Sequence, residues 1–188
     1  RAGVIKVAND TGGVTPAGEI ILRAAARAHK QTGVPITTHT RTLERVGEQQ
    51  VRIFEEEGVD LSRVWIGHSN DTADMDYLLG LLKKGVWLGM DRFPGGLLPG
   101  TLNWEGRTEL VKGLIDAGYS HRILLSHDYV ANAGIFSEED RALRQRHNPD
   151  GYLFISRRVL PRLKQMGVSD ETIHEIMVEN PARFFEGV

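Results

Sequence analysis

Residues 122–129 of the chain read RILLSHDY, an apolar run of strand length that ends in ionisable side chains. Four other runs follow the same plan, and each is nearly continuous in apolar residues, as in a strand buried on both faces. The five predicted strands are residues 3–8, 34–40, 64–69, 86–92 and 122–129. Helix-length segments separate them, and this alternation predicts a parallel sheet built from βα units.

The segments between the strands carry ordinary helix signals. Thr15-Pro16 supplies a hydroxyl N-cap and a proline at the first helical position, ahead of a helix predicted for residues 17–30. Further helices are predicted for residues 43–57, 74–84 and 104–117, and each ends at a glycine just before the next strand. The polar residues 130–151 predict a long loop with a short helix, and helical stretches follow at residues 156–166 and 170–178.

The composition excludes several classes of protein. The chain has 188 residues, with 23 Lys and Arg against 25 Asp and Glu, and this near-neutral balance predicts no nucleic-acid partner. No apolar run reaches the ~18 residues that a membrane helix requires. Because there is no cysteine, disulfides, a thiolate nucleophile and Cys-ligated zinc are excluded. We therefore expect a soluble protein whose metal ligands, where present, are His, carboxylate or modified lysine. Cysteine usage does not fix the compartment, and a cytoplasmic location is the expectation.

Two α/β folds fit this pattern. No linker or low-complexity tract interrupts the chain, so residues 1–188 are expected to form a single unit. A (βα)8 TIM barrel typically takes ~250 residues, and five βα units would leave three units upstream of residue 1. The absence of an initiator Met and of a leader sequence agrees with a processed product or a fragment. An open, flavodoxin-like doubly wound sheet of five strands is the alternative.

Every predicted strand has an ionisable side chain near its carboxyl end, although burying an unpaired charge costs several kcal/mol. These side chains are Lys6, His39, His68, Asp91 with Arg92, and His127 with Asp128. The carboxyl ends of barrel strands meet at one mouth, where barrel enzymes place their chemistry. Each residue alone has a structural interpretation, but together they supply ligands suited to zinc, manganese or cobalt.

Two neighbouring residues on the fifth strand, His127 and Asp128, are alternative candidates for the site. Side chains alternate along a strand, so only one of His127 and Asp128 can point into the barrel. Asp128 is preferred, because a carboxylate can ligate a metal and also accept a proton from a bound water. The histidines outside the strand ends are interpreted as structural or surface residues: His29, His121, His147 and His174.

The motifs GVIKVA around Lys6, VPITTHT around His39, IGHS around His68 and LSHDY around Asp128 resemble the phosphotriesterase family of the amidohydrolase superfamily. The segment NPARF at residues 180–184 resembles the closing segment of that family. The family pattern also has a His-x-His pair on its first strand, and this sequence contains none. The resemblance therefore implies a (βα)8 TIM barrel of which this chain holds units four to eight.

The same resemblance implies a binuclear metal site with two divalent ions, zinc or else cobalt, manganese or iron. N-carboxylated Lys6 would bridge the two metals. His39 and His68 would bind the more exposed metal, and Asp128 the more buried one. A hydroxide that bridges the metals would attack the substrate, and Asp71 would help to pass outward the proton that Asp128 accepts.

The resemblance also bears on the substrate. The segment MDRFP at residues 90–94 has Arg92 where organophosphate-degrading members have a histidine, and it is more similar to the phosphotriesterase-like lactonases. Arg92 would pair with Asp71 or Asp128 and orient the proton path, or else form a plain structural ion pair. The apolar loop at residues 93–102, with Phe93 and Leu97, would line a pocket for an acyl chain. We therefore expect a hydrolase of neutral lactones such as N-acyl homoserine lactones, with a weaker phosphotriesterase activity, that forms a homodimer when intact.

Three alternatives stay open. The first is a dedicated aryldialkylphosphatase that uses the same metal site. The second is a Schiff-base lyase, which would need an unmodified Lys6 as nucleophile and no metal. The third is a non-catalytic barrel fragment, because an active mouth is assembled from all eight loops of a barrel.

Overall fold

The computed structural model describes residues 2–129 and 136–187, and its centre is one sheet of five strands in chain order. The strands are β1 (Ile5–Ala8), β2 (Ile36–His39), β3 (Val64–Ile66), β4 (Trp87–Met90) and β5 (Ile123–Leu125). All neighbouring pairs are parallel. The predicted α/β architecture is therefore confirmed. The strand order has no reversal of the kind that marks a doubly wound sheet, so the flavodoxin-like alternative is wrong.

Helices follow the strands as the sequence predicts. They are α1 (Pro16–Thr32), α2 (Val46–Glu56), α3 (Met75–Lys83), α4 (Trp104–Asp116), α5 (Glu138–His147), α6 (Leu160–Gln165), α7 (Asp170–His174) and α8 (Asn180–Glu186). The predicted N-cap is present, since the Thr15 hydroxyl accepts a hydrogen bond from the Gly18 amide at 3.1 Å. The glycines that follow α1 to α4 all have left-handed backbone, which ends each helix ahead of the next strand: Gly33, Gly58, Gly85 and Gly118.

The predicted strands were too long at their carboxyl ends. β3 ends at Ile66 and not at Ser69, because His68 adopts a left-handed conformation with φ 62° and a short 3-10 turn follows it. β5 ends at Leu125, and Asp128 is also left-handed with φ 46°. A left-handed residue turns the chain out of the sheet, so these functional candidates lie on turns just past the strands.

Two predicted helices also have different bounds. The helix predicted for residues 43–57 begins at Val46, because left-handed Arg45 separates it from a 3-10 turn at Thr42–Glu44. The helix predicted for residues 170–178 does not stop there. It continues through a π-helical turn at Glu175–Glu179 into α8, so the segment NPARF is helical.

The two faces of the sheet have different neighbours. One face carries apolar side chains that belong to the main core with the helices, among them Val7, Ile36, Ile66, Leu88 and Ile123. The opposite face carries the residues at the alternate positions, and Trp87 and Leu124 form a smaller cluster there with Phe184. Lys6 and His39 also lie on this opposite face, because the register pairs Lys6 with Thr37 and Ala8 with His39. The sheet therefore has one helix-covered face and one face that carries polar candidates.

The NPARF residues belong to α8 and pack this helix against the amino ends of the strands. The Asn180 side-chain amide donates to the carbonyl groups of Ser120 at 2.7 Å and Ile123 at 2.9 Å. The ring of Phe184 packs edge-on against Trp65 and Trp87, with centroids 5.7 and 5.9 Å apart. None of the helices within residues 2–129 and 136–187 is long and apolar enough to cross a membrane.

Candidate active site

Two histidines meet just beyond the carboxyl ends of β2 and β3. The Nδ1 atom of His39 and the Nε2 atom of His68 are 2.8 Å apart. The two rings are nearly perpendicular, with an interplanar angle of 83° and centroids 4.4 Å apart. His68 is buried, and His39 is half-buried. The turn after β3 therefore brings together two of the three imidazoles found at predicted strand ends.

The environment of His39 favours its neutral form. Burial lowers the pKa of His39, and the neighbouring His68 and Arg92 lower it further. The carboxylate of Asp10 lies 3.5 Å from Nε2 of His39 and opposes this effect only in part. A neutral imidazole keeps one unprotonated ring nitrogen, which is the form that binds a metal ion.

Lys6 lies on the neighbouring strand, close to His39. Its Nζ atom donates a hydrogen bond to the carbonyl oxygen of Thr38, the residue before His39, at 2.8 Å. Burial lowers the pKa of Lys6, while the negative charges of Asp91 and Asp128 act in the opposite direction. A lowered amine pKa raises the fraction of free amine, which is the form that reacts with carbon dioxide.

Four charged side chains form an ordered row beside the histidines. Arg107 donates from Nη2 to Asp71 Oδ1 at 2.7 Å, and Arg92 donates from Nη1 to Asp71 Oδ2 at 2.6 Å. Arg92 also donates from Nε to Asp128 Oδ2 at 3.1 Å. Asp71 is buried, whereas Asp128 is half exposed. Arg92 thus contacts both of the carboxylates that the sequence offered as its partners.

His127 and Asp128 point to different neighbours. Asp128 accepts a hydrogen bond from Arg92 Nε. The Nε2 atom of His127 accepts a hydrogen bond from the Ile155 amide at 3.3 Å, and its ring lies edge-on to Tyr152. Because both residues lie past the end of β5, their orientation follows from the left-handed turn at Asp128 and not from strand alternation.

The donor set fits a divalent ion at the histidine pair. Zinc binds imidazole nitrogen at ~2.0–2.1 Å, so two nitrogens on a tetrahedral ion are about 3.3 Å apart. The facing nitrogens lie 2.8 Å apart, at hydrogen-bond distance, and the two rings would have to separate by about 0.5 Å to hold the ion. Across residues 2–129 and 136–187, no three His, Asp or Glu side chains are grouped as a metal site. The third donor on this face is Lys6, which becomes an oxygen ligand only after carboxylation.

A cavity of about 250 Å³ adjoins the charged row, between the loop after β4 and α5. Leu97 and Leu98 contribute exposed apolar side chains to its wall. Phe93 also lines it, but the residue is 1% exposed and its ring belongs to the main core. Asp71, Arg92 and Asp128 line the same cavity, so an apolar wall and the polar candidates share one space.

Two residues of this region were not assigned roles from the sequence. Asp91 was recognised only as an ionisable strand-end residue, and its carboxylate contacts both the backbone and the ring of His68. Arg107 carries no such sequence signal, because it lies among charged residues of the helix predicted for residues 104–117. In the fold it is 1% exposed, and its Nε atom donates to the carbonyl of Leu102 at 2.7 Å.

Known proteins share both the sequence and the fold. A model of the phosphotriesterase family matches residues 1–185. The solved structure of the phosphotriesterase from Mycobacterium tuberculosis is similar with a TM-score of 0.91 and 44% identity, over 99% of this chain and 56% of that one. The aryldialkylphosphatase of Saccharolobus solfataricus is 37% identical over 185 residues, which is 98% of this chain and 58% of that protein.

A more distant relative is named for a different activity. The N-acetyltaurine hydrolase of Dictyostelium discoideum is 32% identical over 170 residues, covering 86% of this chain and 44% of that protein. The chain thus spans about half the length of the relatives it matches. The family match over nearly all of its residues, together with the shared fold, shows that the chain belongs to the phosphotriesterase family.

Proposed function

We propose that the chain is part of a metal-dependent hydrolase and carries units four to eight of its TIM barrel, as one unit over residues 1–188. The observation that carries this proposal is the pairing of His39 Nδ1 with His68 Nε2 at 2.8 Å, on the face of the sheet that also holds Lys6. Family membership supports a hydrolase, and the length of the relatives supports further barrel units outside this chain.

In this proposal His39 and His68 would hold one divalent ion and Asp128 would hold a second. Lys6, once carboxylated, would supply oxygen ligands to both. Zinc is the preferred metal, with cobalt, manganese or iron as substitutes. When bound, the two metals supply a water of lowered pKa and polarise the carbonyl or phosphoryl oxygen of the substrate.

The residues of this chain then bind the substrate and move the proton. Asp128 accepts the proton of the attacking water, and Asp71 is the next carboxylate to receive it. Both carboxylates contact the guanidinium of Arg92, which remains charged throughout because its own pKa lies far above neutrality. Arg92 therefore orients the two proton acceptors and does not carry the proton itself.

We propose lactones with an apolar acyl chain, such as N-acyl homoserine lactones, as the substrates, with phosphotriesters hydrolysed more slowly. Leu97 and Leu98 expose apolar side chains to the cavity next to Arg92, which suits an acyl chain, whereas Phe93 lies in the core and presents almost no surface to it. The relatives include an aryldialkylphosphatase and an N-acetyltaurine hydrolase. A dedicated aryldialkylphosphatase is accordingly the second candidate function. We further propose that the intact enzyme is a cytoplasmic homodimer.

The experiment compares kcat/KM for an acyl lactone, for paraoxon and for an N-acyl amide, using the purified protein before and after chelation and metal return. The lactone is expected to be the best of the three, and chelation is expected to abolish all turnover. A phosphotriester preference above about 100-fold, or ~2.7 kcal/mol of transition-state discrimination, would replace the lactonase assignment with the aryldialkylphosphatase.

The remaining alternatives have their own readouts. Borohydride trapping with a carbonyl substrate should leave the mass of the protein unchanged, whereas a stable adduct on Lys6 would identify a Schiff-base lyase. Absence of turnover on all three substrates after metal return would identify a non-catalytic barrel fragment.

A further inference from the structure

Asp91 follows β4 directly and is buried against His68. Its Oδ1 atom accepts a hydrogen bond from the His68 backbone amide at 2.7 Å and contacts the His68 ring nitrogen Nδ1 at 3.0 Å. An ionised carboxylate only accepts hydrogen bonds, so Nδ1 is the donor. Both hydrogen bonds end on the same oxygen. Asp91 therefore fixes the left-handed backbone of His68 and the orientation of its ring at the same time.

The second oxygen of Asp91 occupies a slot that two glycines leave open. A Cβ atom on Gly89 would lie 2.6 Å from Asp91 Oδ2 and 1.9 Å from the indole Nε1 of Trp65. A Cβ atom on Gly67 would lie 3.2 Å from the same oxygen. Trp65 Nε1 is buried and has no hydrogen-bond partner within the described part of the chain. The slot therefore holds one acceptor oxygen and one unpartnered donor side by side.

The contact on Nδ1 determines which nitrogen of His68 is available. A neutral imidazole carries one N–H, so donation from Nδ1 to Asp91 leaves Nε2 unprotonated. Nε2 is the atom that faces His39 Nδ1 at 2.8 Å. Outer carboxylates of this kind fix the tautomer and orientation of metal-binding histidines in many proteins.

We propose that Asp91 is a positioning residue for the metal site. It holds His68 as the Nδ1–H tautomer with Nε2 directed at the site, and the space left by Gly67 and Gly89 beside Trp65 accommodates the Asp91 carboxylate. The inference rests on the proposed metal binding by His39 and His68. Its experiments separate the two claims, since they include the tautomer of the metal-free protein.

The first experiment measures zinc affinity by competition with a chromogenic chelator. Asp91→Ala is expected to weaken binding by about 10- to 100-fold, the range that loss of such outer partners produces. Asp10→Asn is the matched control, because Asp10 is an exposed carboxylate 3.5 Å from the other histidine, and a change below about threefold is expected. Unchanged affinity in Asp91→Ala would overturn the positioning role. Failure of the unsubstituted protein to bind zinc would instead overturn the proposed function.

The second experiment needs no metal. Nitrogen-15 NMR of the metal-free protein at pH 8 reports which ring nitrogen of His68 carries the proton. The Nδ1–H tautomer is expected in the unsubstituted protein, and Asp91→Ala should shift the population towards Nε2–H. An Nε2–H tautomer in the unsubstituted protein would overturn the proposal whatever the metal affinity.

A third experiment tests the slot and does not depend on an alanine variant that folds. In Asp91→Asn the amide presents its NH2 group either to Trp65 Nε1 or to the N–H groups of His68, so a donor faces a donor in both orientations. Trp65→Phe removes the indole donor and relieves one of these conflicts. The double variant should therefore bind zinc several-fold more tightly than Asp91→Asn alone. If the two substitutions change zinc affinity additively, the Trp65 indole does not act on residue 91.

Discussion

Arg107 donates from Nη2 to Asp71 Oδ1 at 2.7 Å, and both side chains are buried. The same guanidinium donates from Nε to the Leu102 carbonyl at 2.7 Å, so it also holds the end of the loop that follows β4. Its Nη1 atom is buried and has no partner among residues 2–129 and 136–187. One side chain thus connects the proposed proton acceptor with the loop that lines the cavity.

Arg107→Met should destabilise the protein by about 1–3 kcal/mol, because the buried Asp71 carboxylate loses one charged hydrogen-bond donor and keeps the other, Arg92. Arg157→Met is the matched control, since Arg157 is exposed and its pairing with Asp150 should contribute less than about 1 kcal/mol. Denaturant unfolding measures both free energies. Equal losses in the two variants would contradict the role given to Arg107.

Gly95→Ala should destabilise the protein by about 1–3 kcal/mol more than Gly96→Ala, because only the first substitution places a methyl group against Arg107. Both glycines have left-handed backbone, with φ 73° and 79°, so both substitutions carry a similar backbone strain. A Cβ atom on Gly95 would lie 1.8 Å from Arg107 Nε, whereas the nearest atom to one on Gly96 is 3.4 Å away. Thermal or denaturant unfolding of the pair measures the difference, and equal midpoints would exclude close packing of Arg107 on Gly95.

Asp128→Asn should reduce kcat of the metal-loaded enzyme by about 100-fold or more, since an amide can no longer take the proton. His127→Ala should cost less than about tenfold, because His127 faces Ile155 and Tyr152 and not Arg92. Steady-state kinetics of both variants checks the ranking. The reverse order would mean that His127 is the residue that acts on the substrate.

Stability at acid pH should depend on Asp150. Hydrogen bonds from Arg158 and then Arg157 lower the pKa of Asp150 below its ordinary value. A lowered carboxylate pKa stabilises the fold above the unfolded pKa of ~3.9, and that contribution is lost as the pH falls through the lowered value. Asp150→Asn should therefore flatten the free energy of unfolding as the pH is reduced from about 5 to 2. Arg158→Met should likewise reduce the pH dependence of the free energy of unfolding. An unchanged pH dependence in both variants would show that the ion pair of Asp150 with Arg158 does not stabilise the fold.

The alternation of apolar strands and glycine-ended helices was sufficient to predict the parallel sheet, because both signals are local. The strand ends were not predictable in the same way. The sequence analysis extends both strands into the polar residues after Ile66 and Leu125, whereas β3 and β5 end there, shortly before the left-handed residues His68 and Asp128. Such conformations depend on tertiary contacts, of which the bond from the His68 amide to Asp91 is an example.

The residues of the candidate site also differ in whether a local sequence pattern or a tertiary contact determines their position. The spacing of polar residues at strand ends was enough to place His39 and His68 together, because parallel strands align their carboxyl ends. Arg107 was missed because its burial depends on the loop ending at Leu102, which folds over a helix that otherwise resembles a surface helix. Asp91 was noticed, but its role depends on the slot at Gly89, which no local pattern indicates.

Zinc titration of His39→Ala shows whether His39 and His68 hold a catalytic metal. His174→Ala is the control, because His174 is an exposed histidine at the end of α7. We expect the control to bind zinc as the unsubstituted protein does, and His39→Ala to bind it at least about 100-fold more weakly, as loss of a direct ligand requires. Equal zinc affinity in the two variants would show that His39 is not a metal ligand.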